Sequence, residues 1–183
     1  MYRFLLLIFV ISTFTSFNRP FANNFVTSDA LVSFVSKANL ETITAKSKEL
    51  KGTLDVQKRT FAITMSIASF EGFINALQKK HFCERYVESA KFPTATFKGK
   101  IIEDIDLSVP GSYTFRSKGI LMIHGVEKER IIEVKAVVKN GQILIDSKFP
   151  IVLEDHGIKI SSMNTIVISK TVSVDAKITL IPG

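Results

Sequence analysis

Along most of the chain, apolar and polar residues alternate with a period of two, the repeat that sends successive side chains to opposite faces of a strand. "TFAITMSI" sets Phe61, Ile63, Met65 and Ile67 on one face against small or hydroxyl residues on the other. "YTFRSKGILMI" and "RIIEVKAVVKNGQILIDSKFPIVL" continue the pattern. The closing "TVSVDAKITLI" alternates Val172, Val174, Ala176, Ile178 and Leu180 with polar partners. Asn140-Gly141 stands between two such runs and signals a two-residue hairpin. His124-Gly125 and Pro110-Gly111 mark further turns. Eight strands are expected, near residues 31–35, 41–56 (bent near Leu50), 60–67, 93–102, 112–123, 128–139, 142–153 and 165–181.

One segment breaks the period. "SFEGFINALQ" spaces Phe70, Phe73, Ile74 and Leu77 at i, i+3, i+4 and i+7, which predicts an amphipathic helix with Ser69 as its N-cap. No Gly/Ser-rich linker or repeat divides the strands, so residues 23–183 read as one domain. A single antiparallel sheet of that size must curl, and closure removes its exposed edges. The expected fold is therefore all-β, an eight-stranded antiparallel barrel with one helix inserted between early strands; a two-sheet sandwich is the alternative.

A barrel of eight strands either fills its interior with side chains or holds one small ligand. The helix needs a surface to cover, and an open barrel end supplies one. An interior of Phe, Ile, Met and Val selects an apolar guest, and a long one. Each buried methylene contributes about 0.8 kcal/mol, against an association cost of about 4–15 kcal/mol, so a chain of roughly five carbons barely breaks even.

Composition adjusts this picture in three places. The opening "MYRFLLLIFVISTFTSF" carries Arg3, then an unbroken apolar run from Phe4 to Ile11, then hydroxyl residues. That is the layout of a secretory signal peptide over residues 1–22, cleaved at about 15–22 near Thr13-Phe14-Thr15 or Ala22. The run falls short of the roughly 20 residues that span a bilayer; an uncleaved anchor or a buried first strand is the competing reading. The expected location is periplasmic or secreted. The formal charge of +7 is scattered in "KSKELK", "KK", "KGK" and "EKER", as on a solvated strand face. It also suits contact with an anionic membrane surface, whereas no recognition-helix, zinc-finger or RNA-binding signature accompanies it to suggest nucleic acid. A single cysteine, Cys83, permits no internal disulfide, and whether it is buried, free or paired between chains stays open.

"HFCERYVESAKFPTATFKGKI", "GILMIHGVEKE" and "FPIVLEDHGIKI" resemble, in order and spacing, the YceI-like family of lipid- and polyisoprenoid-binding proteins, over roughly residues 30–181. The Glu88-Ser89 pair before "FPTATF" and the Ile-His-Gly-Val turn at 123–126 are its specific parts. The resemblance implies a lipocalin-like barrel of eight strands with a helix after an early hairpin, an elongated apolar cavity, and no shared catalytic reaction. Members similar to this chain often carry asparagine where Cys83 stands, a glycine in the hairpin at "VQKRTF", an aromatic at His156, and a proline within "KISS".

The polar cluster His81, Cys83, Glu84, Arg85 and Glu88 invites a catalytic reading. A cysteine nucleophile needs a base in reach, and on a helix His81 at i−2 faces away from Cys83. Capping and pairing at a helix end, with Phe82 and Tyr86 packed inward, is preferred. His81, Cys83, His124 and His156 show no zinc-like spacing, so no metal or other cofactor is expected. The residues predicted to line the cavity are Phe61, Ile63, Met65, Ile67, Phe97, Phe115, Leu121, Val134, Phe149 and Ile151. Phe70, Phe73, Leu77, Phe82 and Tyr86 are predicted to form the lid, with His81 or Arg85 at a headgroup rim. The expected activity is binding of a long-chain isoprenoid or other amphipathic lipid by a monomer or homodimer that is not an enzyme. The alternative is an envelope stress or adhesion module with a filled barrel.

Overall fold

The computed structural model of the protein describes residues 23–161 and 164–183; the predicted signal peptide and its cleavage positions lie outside them. Among the described residues, nine strands form one sheet: β1 (Asn24–Lys37), β2 (Thr42–Ser47), β3 (Leu50–Asp55), β4 (Thr60–Ser66), β5 (Thr94–Ile101), β6 (Gly111–Ile123), β7 (Val126–Lys139), β8 (Gln142–Val152) and β9 (Thr171–Pro182). From β3 to β9 each strand pairs antiparallel with the next, and β9 returns to β1. β1 then meets both β2 and β3, which closes the barrel. β2 and β3 are two parts of one stave, in a common register: Val32 faces Ser47 and Val26 faces Thr53. The chain bends at Lys48–Glu49 between them, the bend expected near Leu50, so the closed antiparallel barrel has eight staves.

Alternation decides which face each strand buries. In β6, Phe115, Ser117, Gly119 and Leu121 turn inward between exposed neighbours, and β7 answers with Ile132, Val134, Ala136 and Val138. Asn140-Gly141 forms the predicted two-residue turn, with φ of 53° and 72°, and the turn predicted at His124-Gly125 is also of two residues, with φ of 53° and 71°. That conformation matches the right-handed twist of the flanking strands. The first strand is longer than predicted. The last starts later, at Thr171, because Asn164–Ile166 form a 3₁₀ turn instead.

The predicted helix is the main correction. Helix α1 covers only Ala76–His81, continuing into one π-helical turn at Phe82–Tyr86. Its N-cap is Asn75, whose side chain accepts from the Gln78 N–H at 2.8 Å, and not Ser69. The Ser69 hydroxyl instead donates to the Ser66 carbonyl and lies 2.6 Å from the Ser47 hydroxyl. Glu71 bridges Lys46 on β2 through reciprocal backbone bonds of 2.8 Å, and Gly72 follows at φ 94°, so residues 70–73 run extended. The apolar stripe therefore splits. Phe70 and Phe73 turn inward, while Ile74 and Leu77 are 72% and 59% exposed.

The barrel has two unlike ends. At the lower end lie the start of β1, the β7–β8 hairpin and the loop between β5 and β6. There Phe25, Leu107 and Ile143 are fully buried, with Ala136 and Val138 beside them. The upper end carries the β4–β5 insertion with α1, the β6–β7 turn and the connection from β8 to β9.

Candidate functional site

The barrel holds a cavity of about 390 Å³ that runs from the roof down to Leu54, Ile101 and Leu180, within the roughly 300–1,000 Å³ range of small-molecule sites. All ten predicted lining residues face it: Phe61, Ile63, Met65, Ile67, Phe97, Phe115, Leu121, Val134, Phe149 and Ile151. They come from β4, β5, β6, β7 and β8 and from the 3₁₀ turn after β4. The opposite wall, absent from the predicted set, is built from Val32, Phe34 and Ser36 of β1 and Val172, Val174, Ala176, Ile178 and Leu180 of β9. The alternation along β9 was the signal that could have found it.

The roof is aromatic. Phe34 on β1 stacks on Phe82 at 5.5 Å between centroids and meets Phe70 edge-on at 5.1 Å. Phe73 lies 5.1 Å from Phe82. Four rings from β1 and the insertion thus cover the hollow through offset and edge contacts, each contributing about 0.5–1.5 kcal/mol beyond area burial. Of the predicted lid, Phe70, Phe73, Phe82 and Tyr86 occupy the roof and Leu77 does not. Leu77 lies on the solvent side of α1, because the helix starts at Ala76 and its inner face is taken by Gln78 and His81.

Polar groups on the lining are few, and most are engaged. The Ser36 hydroxyl accepts from the Ser169 N–H at 3.0 Å, and Ser147 donates to the Glu133 carbonyl at 2.7 Å. At the upper mouth, Gln78 Nε2 donates to Glu41 Oε1 at 2.7 Å, while Gln78 Oε1 accepts from the Ile74 N–H at 3.0 Å. His81, partly exposed, borders the cavity beside them. Arg85 is exposed and does not reach the lining. Among the described residues, no Lys or Arg contributes to the wall.

The two motifs that marked the family resemblance meet in space. His124 Nε2 lies 2.8 Å from Glu88 Oε2, and His124 Nδ1 lies 3.2 Å from the His156 carbonyl. Both partners are acceptors, so a ring protonated on both nitrogens donates to both. Phe92 packs edge-on against the same ring at 4.4 Å. This contact ties the end of the insertion to the β6–β7 turn and to the β8–β9 connection, bracing the roof. His156 is buried, and its Nδ1 donates to the Val126 carbonyl at 3.1 Å. Burial pushes its imidazole below the ordinary histidine range, outweighing the Val126 bond, which favours the proton. Cys83 is a free, partly exposed thiol on the π turn. Among the described residues, no group of three or more His, Cys, Asp or Glu is placed to hold a metal ion.

The same architecture occurs in solved structures. A polyisoprenoid-binding domain from Saccharophagus degradans, implicated in plant cell wall breakdown, superposes with a TM-score of 0.73 at 16% identity, covering 87% of this chain and 98% of that one. BcnA of Burkholderia cenocepacia gives 0.69 at 18% identity, covering 82% and 95%. The Campylobacter jejuni YCEI protein, which crystallizes with large solvent channels, gives 0.61 at 15% identity, covering 78% and 86%. At these identities the likeness is one of fold. No curated protein matches the sequence. The YceI-like domain profile, however, matches residues 24–180, nearly all of the barrel. The chain belongs to the YceI-like domain family.

Proposed function

We propose that the protein binds one long-chain apolar or amphipathic lipid, polyisoprenoid or fatty-acyl in type, with its hydrocarbon in the upper cavity, and that it carries or sequesters this lipid without catalysing a reaction. The observation that carries this reading is an apolar hollow of about 390 Å³ whose wall, among the described residues, contains no Lys or Arg. Methyl and aromatic surfaces reward burial of hydrocarbon and offer no cation to hold an anionic group inside. The polyisoprenoid-binding relative with the same fold supports the polyisoprenoid class. The basic tip and apolar run of residues 1–22 support export to the periplasm or beyond. The filled-barrel alternative describes only the lower end, where Phe25, Leu107 and Ile143 close the interior.

A chain-length series tests the reading. Protein stripped of lipid is titrated with prenols of increasing length, followed by calorimetry. Affinity should rise at least about tenfold per added isoprene unit until the hollow is full, then level off. Absence of binding at every length would refute the carrier.

A further inference from the structure

We propose that the rim of the cavity is a membrane-docking surface, and that its partner is the interfacial layer of a bilayer containing anionic lipid. Four large aliphatic side chains stand in water around the mouth: Leu40 at 78% exposure, Ile74 at 72%, Leu77 at 59% and Ile166 at 45%. They come from three separate stretches of chain, and hydrogen bonds knit those stretches together. The Leu40 N–H donates to the Ile166 carbonyl at 3.0 Å, and Glu41 is held by Gln78 at 2.7 Å. Gln78 in turn accepts from the Ile74 N–H at 3.0 Å. The apolar tips therefore share one end of the barrel. Val109 and Ile131, of comparable exposure, stand elsewhere, in the lower loop and on β7.

Two observations choose the occupant. Glu41 and Gln78, between the aliphatic tips, also line the cavity, so the patch is continuous with the mouth. Exposed cations stand at the same end: Lys80 and Arg85 on the helical segment, Lys37 at the end of β1, and Lys170 just before β9. Glu84 and Glu154 oppose them, whereas Glu88 and Asp155 at the same end are paired with His124 and Arg130, and Lys79 with Glu71. Each cation near an anionic surface is attracted to it, and shallowly inserted aliphatic tips add burial of apolar area. The inference rests on the carrier reading. A long hydrocarbon passing through water loses the burial of every methylene, so exchange is favoured when the mouth touches the bilayer that holds the lipid.

The test uses the purified chain, vesicles of equimolar phosphatidylcholine and phosphatidylglycerol, and the variant I74E/L77E, whose changes lie outside the cavity wall. Co-sedimentation reports docking; the apolar fluorophore N-phenyl-1-naphthylamine, which enters from water, reports the cavity. The wild type should bind both. The variant should keep the fluorophore and lose vesicle affinity at least about tenfold. Undiminished vesicle binding by the variant would overturn the proposal. So would a wild type that takes the fluorophore yet ignores vesicles, including one that self-associates through this patch. Loss of fluorophore binding in the wild type would instead strike the carrier reading.

Discussion

The lower and upper ends of this barrel share strands and residue types, yet one is plugged by fully buried side chains and the other roofs an apolar hollow. The cause lies in what each end folds over itself. Below, the loop between β5 and β6 buries Leu107 in the same core as Phe25 and Ile143, with Ile105 and Tyr113 packed against it. Arg59 Nη1 holds that loop through Asp104 at 2.7 Å, and Arg116 Nε holds it through Glu103 at 2.7 Å. The Arg116 backbone N–H and guanidinium keep the Glu103 carboxyl below its usual range. Asp106 closes a further turn on the Ser108 N–H at 2.9 Å. Above, the insertion lies across the opening as a roof of rings and sends no side chain down to fill the middle. A plug and a roof both cover an end, but only the plug consumes the volume.

The sharpest way to break this comparison uses two isoleucines on β8, Ile143 in the plug and Ile151 in the hollow, both buried. Ile143→Ala should leave a new void in close-packed surroundings and cost about 4 kcal/mol, whereas Ile151→Ala enlarges an existing space and should cost about 2 kcal/mol. Urea denaturation measures both. Equal costs would mean that the upper end is packed as tightly as the lower.

The reverse substitution gives a smaller effect. Ala136 lies in the packed region and Ala176 on the cavity wall. Ala136→Phe should destabilise the fold by about 3 kcal/mol through overpacking, while Ala176→Phe should cost less than about 1 kcal/mol. The second variant should nonetheless lose prenol affinity by at least about tenfold as its ring takes the guest's space. Calorimetric melting and prenol titration separate the two outcomes.

The smallest effect is a pH response at the upper end. Because the folded imidazole of His156 is held below its unfolded value of 6.5, the unfolded chain binds the extra proton first. Its contribution to stability is therefore complete above that pH and is lost as pH falls below it, with a slope no steeper than about 1.4 kcal/mol per pH unit. His156→Gln should flatten this part of the stability profile, read by chemical denaturation from neutral to mildly acidic buffer.

Much of the hollow was legible because period-two alternation names a strand's inward face without knowledge of its neighbours. Phe61, Ile63 and Met65 on β4 could be placed from eight letters of sequence. What alternation cannot show is depth. Ile143 and Ile151 look alike along β8, yet only Ile151 lines the cavity, and nothing in the strand's own letters separates them. The helix stripe failed for a related reason. An extended stretch with a left-handed Gly72 also places Phe70 and Phe73 on one side, and the bridge from Glu71 to Lys46 that holds it is a long-range contact. Gly72 and the Asn75 cap were the local hints. The meeting of Glu88 with His124 was not readable, because thirty-six residues separate them.

The central claim is that the barrel holds an apolar hollow that accepts a hydrocarbon chain. Non-denaturing mass spectrometry of the purified protein mixed with excess long-chain polyprenol tests it most directly. The account predicts a chain carrying one lipid, with the adduct lost in the Ala176→Phe variant; a wild-type spectrum showing only bare protein would contradict it.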